Sequence, residues 1–301
     1  MATNRFGWFV PHRLPTLEKV TGISEGSFRL AAPRLRQFVR GYSGYRLQGF
    51  APGEHVGMPS PYLTVIITIG DPLDVSRAVE RPQDRSRWHT LASGIASVPC
   101  TISHDGNQHG IQAAFTPLGA RAIFGVPTAA LGGWLVDLDD LLGADARELR
   151  ERVALHDDWP SRFDVLDEIF LRRADDYVMD PTLERAWGLL VGSGGGNRVA
   201  EVAADVGWSR RHLVNRFSAE FGVTPKDSAR IARFSVAHEM LRQVEIPPLS
   251  EVAARCGYYD QAHMARDWRD LAGMAPSVWR AAEVFAFVQG ESRGELADWT
   301  A

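Results

Sequence analysis

The chain has 301 residues, 45% hydrophobic and 23% charged, with a formal net charge of −4. That composition supplies two globular domains, or three small ones, and excludes collagenous, disordered and disulfide-stapled chains. Cys100 and Cys256 have no metal-binding spacing, MATNRFGWFV lacks the charged start and apolar run of a signal peptide, and no stretch reaches membrane-spanning length. A cytoplasmic protein without membrane contact is the expectation.

From Leu35 to about Thr116 the pattern is strands and turns. YLTVIITIGDPLDV (Tyr62–Val75) is β-branched and interrupted by the turn signal Gly-Asp-Pro, and VPCTISHDGNQHGIQAAFTP (Val98–Pro117) predicts two strands around His104-Asp105-Gly106-Asn107. Short strands punctuated by glycine and proline suggest a small barrel or sandwich. Tyr42, Tyr45, Phe50, Tyr62 and Trp88 fall here, as core or as a pocket lining. His55, His89, His104 and His109 share the region but lack metal-ligand spacing, and no G-x-S-x-G elbow or His beside Cys100 supports a nucleophile.

The period then changes. Thr116 can cap a helix that begins at Pro117, and helices are expected over 117–191. Within SRFDVLDEIFLRRADDYV, the residues Phe163, Leu166, Ile169, Phe170 and Tyr177 make one helical stripe, which packs on the barrel or forms a dimer seam. Gly192–Asn197, GSGGGN, cannot hold a helix and is expected to be a linker. Helices follow over 198–280, and residues 281–301 form an acidic tail.

Inside the last helical region one pattern occurs twice. Val199, Val202, Ala203, Val206 and Gly207 recur fifty residues on as Leu249, Val252, Ala253, Cys256 and Gly257. After the glycine the offset grows by one: Leu213, Phe217, Gly222 and Pro225 match Met264, Trp268, Gly273 and Pro276. A short helix, a glycine turn and a second helix with one apolar face make a helix-turn-helix, in which the second helix enters the DNA major groove. At 100° per residue, Leu213 and Phe217 face inward, while Arg210, Arg211, His212, Asn215 and Arg216 lie toward the other side or the helix start. Ser209 can cap that helix, leaving its backbone N–H groups for a phosphate. In the second copy Gln261, Ala262, His263 and Arg266 hold the corresponding places, with Asp260 at the cap. Arginine suits guanine, and asparagine or glutamine suits adenine.

These residues resemble the AraC/XylS family of bacterial transcriptional regulators, through VAADVGWSRRHLVNRFSAEFGVTP, ARIARFSVAHEML and PLSEVAARCGYYDQAHMARDWRDLAGMAPSVWR. The resemblance spans roughly Asn197 to Arg280 and implies two helix-turn-helix units joined by a long helix, here from Pro225, capped by Thr224, to about Val244. Many members have arginine where this chain has Asn215, and phenylalanine where it has Met264 and Trp268. The resemblance further implies an effector-binding or dimerising domain ahead of the module, here a cupin-like small barrel with following helices. The expected fold is thus α+β: residues 1–191 (β-rich to about 116), a linker at 192–197, and an all-α module at 198–280.

Implied partners are double-stranded DNA through two adjacent half-sites, a small-molecule effector, RNA polymerase and a second copy of the chain. No cofactor, metal or catalytic residue is expected, and activation is the commoner outcome in the family. The alternatives are a barrel enzyme with an accessory DNA-binding module, and a protein-docking module. Charge separates the two units. Eight basic residues oppose five acidic ones over Arg198–Arg242, while four oppose five over Gln243–Arg280. The first unit is therefore expected to supply most of the phosphate attraction.

Overall fold

The computed structural model describes residues 22–77, 83, 86–243 and 246–282, so the acidic tail from residue 283 and the expected helix end at Val244 lie outside them. Ten strands among these residues make two sheets, and eleven α-helices accompany them, the first of which precedes the last strand. The larger sheet contains β1 (Ile23–Arg29), β2 (Val39–Gln48), β4 (Leu63–Thr68), β7 (Thr90–Ser93), β9 (Gln108–Phe115) and β10 (Leu135–Val136), in the order β1-β2-β9-β4-β7-β10. The smaller contains β3 (Gly53–Gly57), β5 (Leu73–Arg77), β6 (Arg87–Trp88) and β8 (Cys100–His104), in the order β3-β8-β5-β6. Pairing is antiparallel in both. The loop 105–107 carries the chain from the small sheet to the large one, so β8 and β9 do not pair with each other.

Alternation along β4 sorts two cores. Leu63, Val65 and Ile67 join the core beneath the helices α1 (Pro117–Phe124), α2 (Leu138–Leu142), α3 (Ala144–Leu155) and α4 (Trp159–Arg173). Ile66 points the other way, joining Leu73, Val75, Trp88, Leu91 and Leu135 between the two sheets. Both faces of β4 are covered, which is why apolar residues occur on both of them, with Thr64 and Thr68 as its polar positions. The helical stripe resolves as barrel packing: Phe163, Leu166, Ile169 and Phe170 are buried in the first core. Tyr177 is not on that helix, because α4 ends at Arg173 and the chain runs without regular structure through 174–180. The aromatic residues of the strand region also divide. Tyr42 is buried beneath α4 with its hydroxyl donating to Asp167 Oδ1 at 2.8 Å, and Trp88 lies between the sheets.

The glycine segment differs from the expected open linker. Helix α5 (Pro181–Val191), ahead of it, buries Leu183, Ala186 and Leu190 in the core of the carboxy-terminal helices. Its Trp187 stacks on Phe217 at 5.7 Å and leans on Phe221 at 4.5 Å. Gly194 and Gly195 then take positive φ angles of 67° and 74°. The Gly195 N–H donates to the Leu190 carbonyl, the Gly195 carbonyl accepts from Arg233 Nη1 at 3.0 Å, and Asn197 Nδ2 donates to the Leu189 carbonyl at 2.8 Å. The glycines supply left-handed geometry for a tight packed turn.

Candidate nucleic-acid interface

The carboxy-terminal helices are α6 (Val199–Asp205), α7 (Arg210–Phe221), α8 (Pro225–Leu241), α9 (Leu249–Arg255), α10 (Gln261–Ala272) and α11 (Pro276–Ala282). The two copies are built alike. Gly207 and Gly257, at φ 71° and 75°, reverse the chain after α6 and α9 in a conformation open to glycine at little cost. Ser209 Oγ accepts from the His212 N–H at 3.2 Å, and Asp260 Oδ1 from the His263 N–H at 2.6 Å. Gly222 and Gly273, at φ 78° and 73°, close α7 and α10. Leu213, Phe217 and Phe221 from the first copy and Met264, Trp268 and Leu271 from the second share one core with Phe234 of α8. Thr224 caps α8 by accepting from the Asp227 N–H at 3.1 Å.

Burial of these apolar faces turns the polar ones outward. Ser209, Arg210, Arg211, His212 and Asn215 are exposed along α7, as are Gln261, Ala262 and Arg266 along α10. Arg210, Arg211 and Arg266 make no ion pair among the described residues. Arg216 is exposed too, but its Nη2 donates to Asp180 Oδ2 at 3.1 Å, beside the N-terminus of α5. The two histidines rest edge-on against aromatic rings of their turns: His212 on Trp208 at 4.7 Å and His263 on Tyr258 at 5.3 Å. His263 is half-buried, and its Nδ1 accepts from the Tyr259 N–H at 3.3 Å, so its ring holds the turn.

Tyr259 was not among the expected readers. It is the residue just ahead of the Asp260 cap and is 93% exposed. The added residue in the second turn was the available signal, but an extra residue does not say which side chain it pushes out.

The units are locked together by charge as well as by core. Arg230 on α8 donates from Nη2 to Asp270 and from Nε to Asp267, at 3.0 and 3.1 Å, so two carboxylates of α10 are compensated from the first unit. This narrows the charge difference between the units.

The amino-terminal domain reaches the same module. Arg121 of α1 forms a two-pronged pair with Glu220 of α7 (2.8 and 2.7 Å), and Glu220 is buried. This pairing, with the Tyr177 ring also contributing, raises the Arg121 pKa. Ala129, in the 3-10 turn Thr128–Leu131, lies against Gly222 at the end of α7. Arg121→Ala leaves the Glu220 carboxylate buried without its partner and is expected to cost about 3–5 kcal/mol. In a double-mutant cycle read by urea unfolding, Arg121→Ala in a Glu220→Gln background should cost much less, and additive losses would contradict the pairing.

The histidines of the strand region scatter. His55 is buried, with its ring 5.6 Å from His104, His89 is exposed, and His109 lies 3.2 Å from Arg162 Nη1. Burial and the neighbouring guanidinium push His109 down to about 4, so its ring is neutral near pH 7. No group of three or more His, Cys, Asp or Glu residues able to hold a metal occurs among the described residues.

Residues 202–282 match the family described as a helix-turn-helix domain. No curated protein matches the chain. Over 84% of this chain and 99% of the other, the structure is similar to the apo form of a ToxT variant from Vibrio cholerae, with 13% identity and a TM-score of 0.50. The carboxy-terminal part is similar to the DNA-binding domain of AdpA, a global transcriptional factor solved with a target DNA (27% identity, 35% of this chain and 93% of that one, TM-score 0.32). It is also similar to an AraC-type regulator from Chromobacterium violaceum (23% identity, 35% and 94%, TM-score 0.31).

The doubled motif and the family match together make residues 202–282 a helix-turn-helix domain. This domain is preceded by a β-rich one. Among the described residues no helix is long and apolar enough to cross a membrane.

Proposed function

We propose that the chain reads duplex DNA with α7 and α10 in successive major grooves, and regulates transcription in response to a small molecule. One observation carries this reading: two capped helices present exposed polar faces from a single shared core. Units joined this way keep a fixed spacing and can engage half-sites ~34 Å apart on one duplex face. Arg210, Arg211 and Asn215 are proposed as the readers in α7, and Gln261, Ala262 and Arg266 in α10. Ser209 and His212 offer phosphate contacts at the start of α7, Arg216 lies at the rim, and His263 positions its turn.

The functional boundary falls at residues 174–180 in this proposal, with α5 and the glycine turn belonging to the DNA-binding unit. RNA polymerase and a second copy are further proposed partners, and the activator role belongs to the same reading. The α4 stripe is covered by the barrel, so a dimer seam has to use another face. A protein-docking reading, by contrast, predicts no steep dependence on salt.

Loss of one phosphate or guanine contact costs roughly 1–3 kcal/mol. Arg211→Ala is expected to weaken DNA binding more than Arg266→Ala at equal salt, because the positive excess is on the first unit. A mobility-shift titration at two salt concentrations checks this, and the reverse order would contradict it. Tyr259→Ala should weaken binding several-fold without lowering the unfolding midpoint, as expected of a ring that touches the duplex. Unchanged affinity would remove Tyr259 from the interface.

A further inference from the structure

A cavity of about 240 Å3 lies where the sandwich meets the carboxy-terminal helices. The strand wall is largely apolar, with Ile66, Leu73, Val75 and Leu91, and is dotted with the neutral polar side chains of Ser43, Thr64 and Gln112. Ser235, His238, Glu239 and Arg242 form the opposite wall. These four have the i, i+3, i+4, i+7 spacing of one helical face, on and just beyond α8. The helix that joins the two DNA-reading units therefore closes a cavity of the amino-terminal domain. Met58 and Ile95, from the strand region, pack into the carboxy-terminal core beside it.

We propose that this cavity binds the effector, a compact neutral molecule with an apolar body and one or two hydroxyl, carbonyl or amide groups, which touches the strands and α8 together. The inference rests on the regulator reading and deepens it. Neutrality follows from the lining. Glu239 and Arg242 are its formal charges, opposite in sign and three residues apart, and both are already engaged in other interactions. Burial pushes His55 and His238 down to about 3 and the Cys100 thiol up to about 11, so all three are uncharged near pH 7. A ligand carboxylate or ammonium would be buried with no net counter-charge, at high desolvation cost. The volume falls below the roughly 300–1,000 Å3 of pockets for drug-sized ligands, which suits a molecule of about ten to fifteen non-hydrogen atoms.

Contact with α8 gives the molecule a direct hold on the spacing of α7 and α10. Any change it makes in DNA affinity is matched by an equal effect of DNA on its own affinity.

The test is calorimetric titration of the full chain with 1-naphthol and 4-phenylphenol, and with the carboxylates 1-naphthoate and 4-phenylbenzoate. The neutral pair should bind at least tenfold more tightly than the carboxylates. Ser235→Phe, from the α8 wall, and Ser43→Leu, from the strand wall, should each lower that affinity at least tenfold in protein with a normal circular dichroism spectrum. The proposal is overturned if neither neutral compound binds, if the carboxylates bind more tightly, or if binding survives a substitution that leaves the chain folded. Salt-dependent retention of duplex DNA by the same preparation separates the outcomes. Where it holds and the titrations fail, the effector inference alone falls, and where it is absent, the regulator reading falls with it.

Discussion

Trp268→Ala should destabilise the carboxy-terminal module by about 3–5 kcal/mol, the cost of emptying a large buried aromatic site. Trp268 is fully buried in α10 and packs on Phe234 at 4.7 Å, Trp279 at 5.4 Å and His238 at 6.1 Å. It therefore ties α10 both to the joining helix α8 and to α11. Trp268→Phe should cost far less, about 1 kcal/mol. The ring is kept, and the indole Nε1, which is buried without a hydrogen-bond partner, is removed together with its desolvation cost. Urea unfolding followed by far-ultraviolet circular dichroism measures both. Equal losses for the two variants would show that the ring is not the centre of this core. Because α10 is positioned by that core, the alanine variant should also lose DNA affinity where the phenylalanine variant keeps it.

Gly195→Ala is the second large effect, and here even the sign is informative. In an open tether the substitution would be neutral or would stabilise by about 0.4–1 kcal/mol, by restricting the unfolded chain. In the folded turn Gly195 has φ 74°, and a Cβ there would collide with the Ala229 carbonyl oxygen of α8. Left-handed strain alone costs about 1–3 kcal/mol, and displacing α8 adds to it. The expected result is a loss of about 2–4 kcal/mol, with proteases slow to cut the glycine turn in the parent chain. A stabilised variant, or rapid cleavage at 192–197, would restore the linker.

These two positions also show what the sequence makes legible. The doubled motif is readable because both copies repeat the same local rules: apolar spacing, a glycine of positive φ, a capping side chain and a terminal glycine. Leu213, Phe217, Met264 and Trp268 are buried where their spacing places them, and Ser209, Asp260 and Thr224 cap their helices. Local chemistry decides such features, so local pattern reveals them.

The glycine segment is different. Flexibility and an obligatory left-handed turn ask for the same residue, and only the partners Arg233, Leu190 and Ala229 tell them apart. The helix stripe at Phe163–Phe170 could meet either the barrel or a second copy, because amphipathicity specifies a buried face without saying against what. Arg216 looks like an ordinary exposed basic residue until Asp180, thirty-six positions earlier, is brought beside it. The cavity wall was hidden for the same reason, since Ser235, His238, Glu239 and Arg242 lie far along the chain from the strands they face.

The measurement that bears most directly on the double reading is selection of genomic duplex fragments by the purified full chain at two salt concentrations. Fragments sharing a motif of two half-sites about one helical turn apart, with retention falling steeply as salt rises, are the expected result. Retention without a shared motif, or a single half-site read by α7 alone, would contradict the claim that both units read DNA.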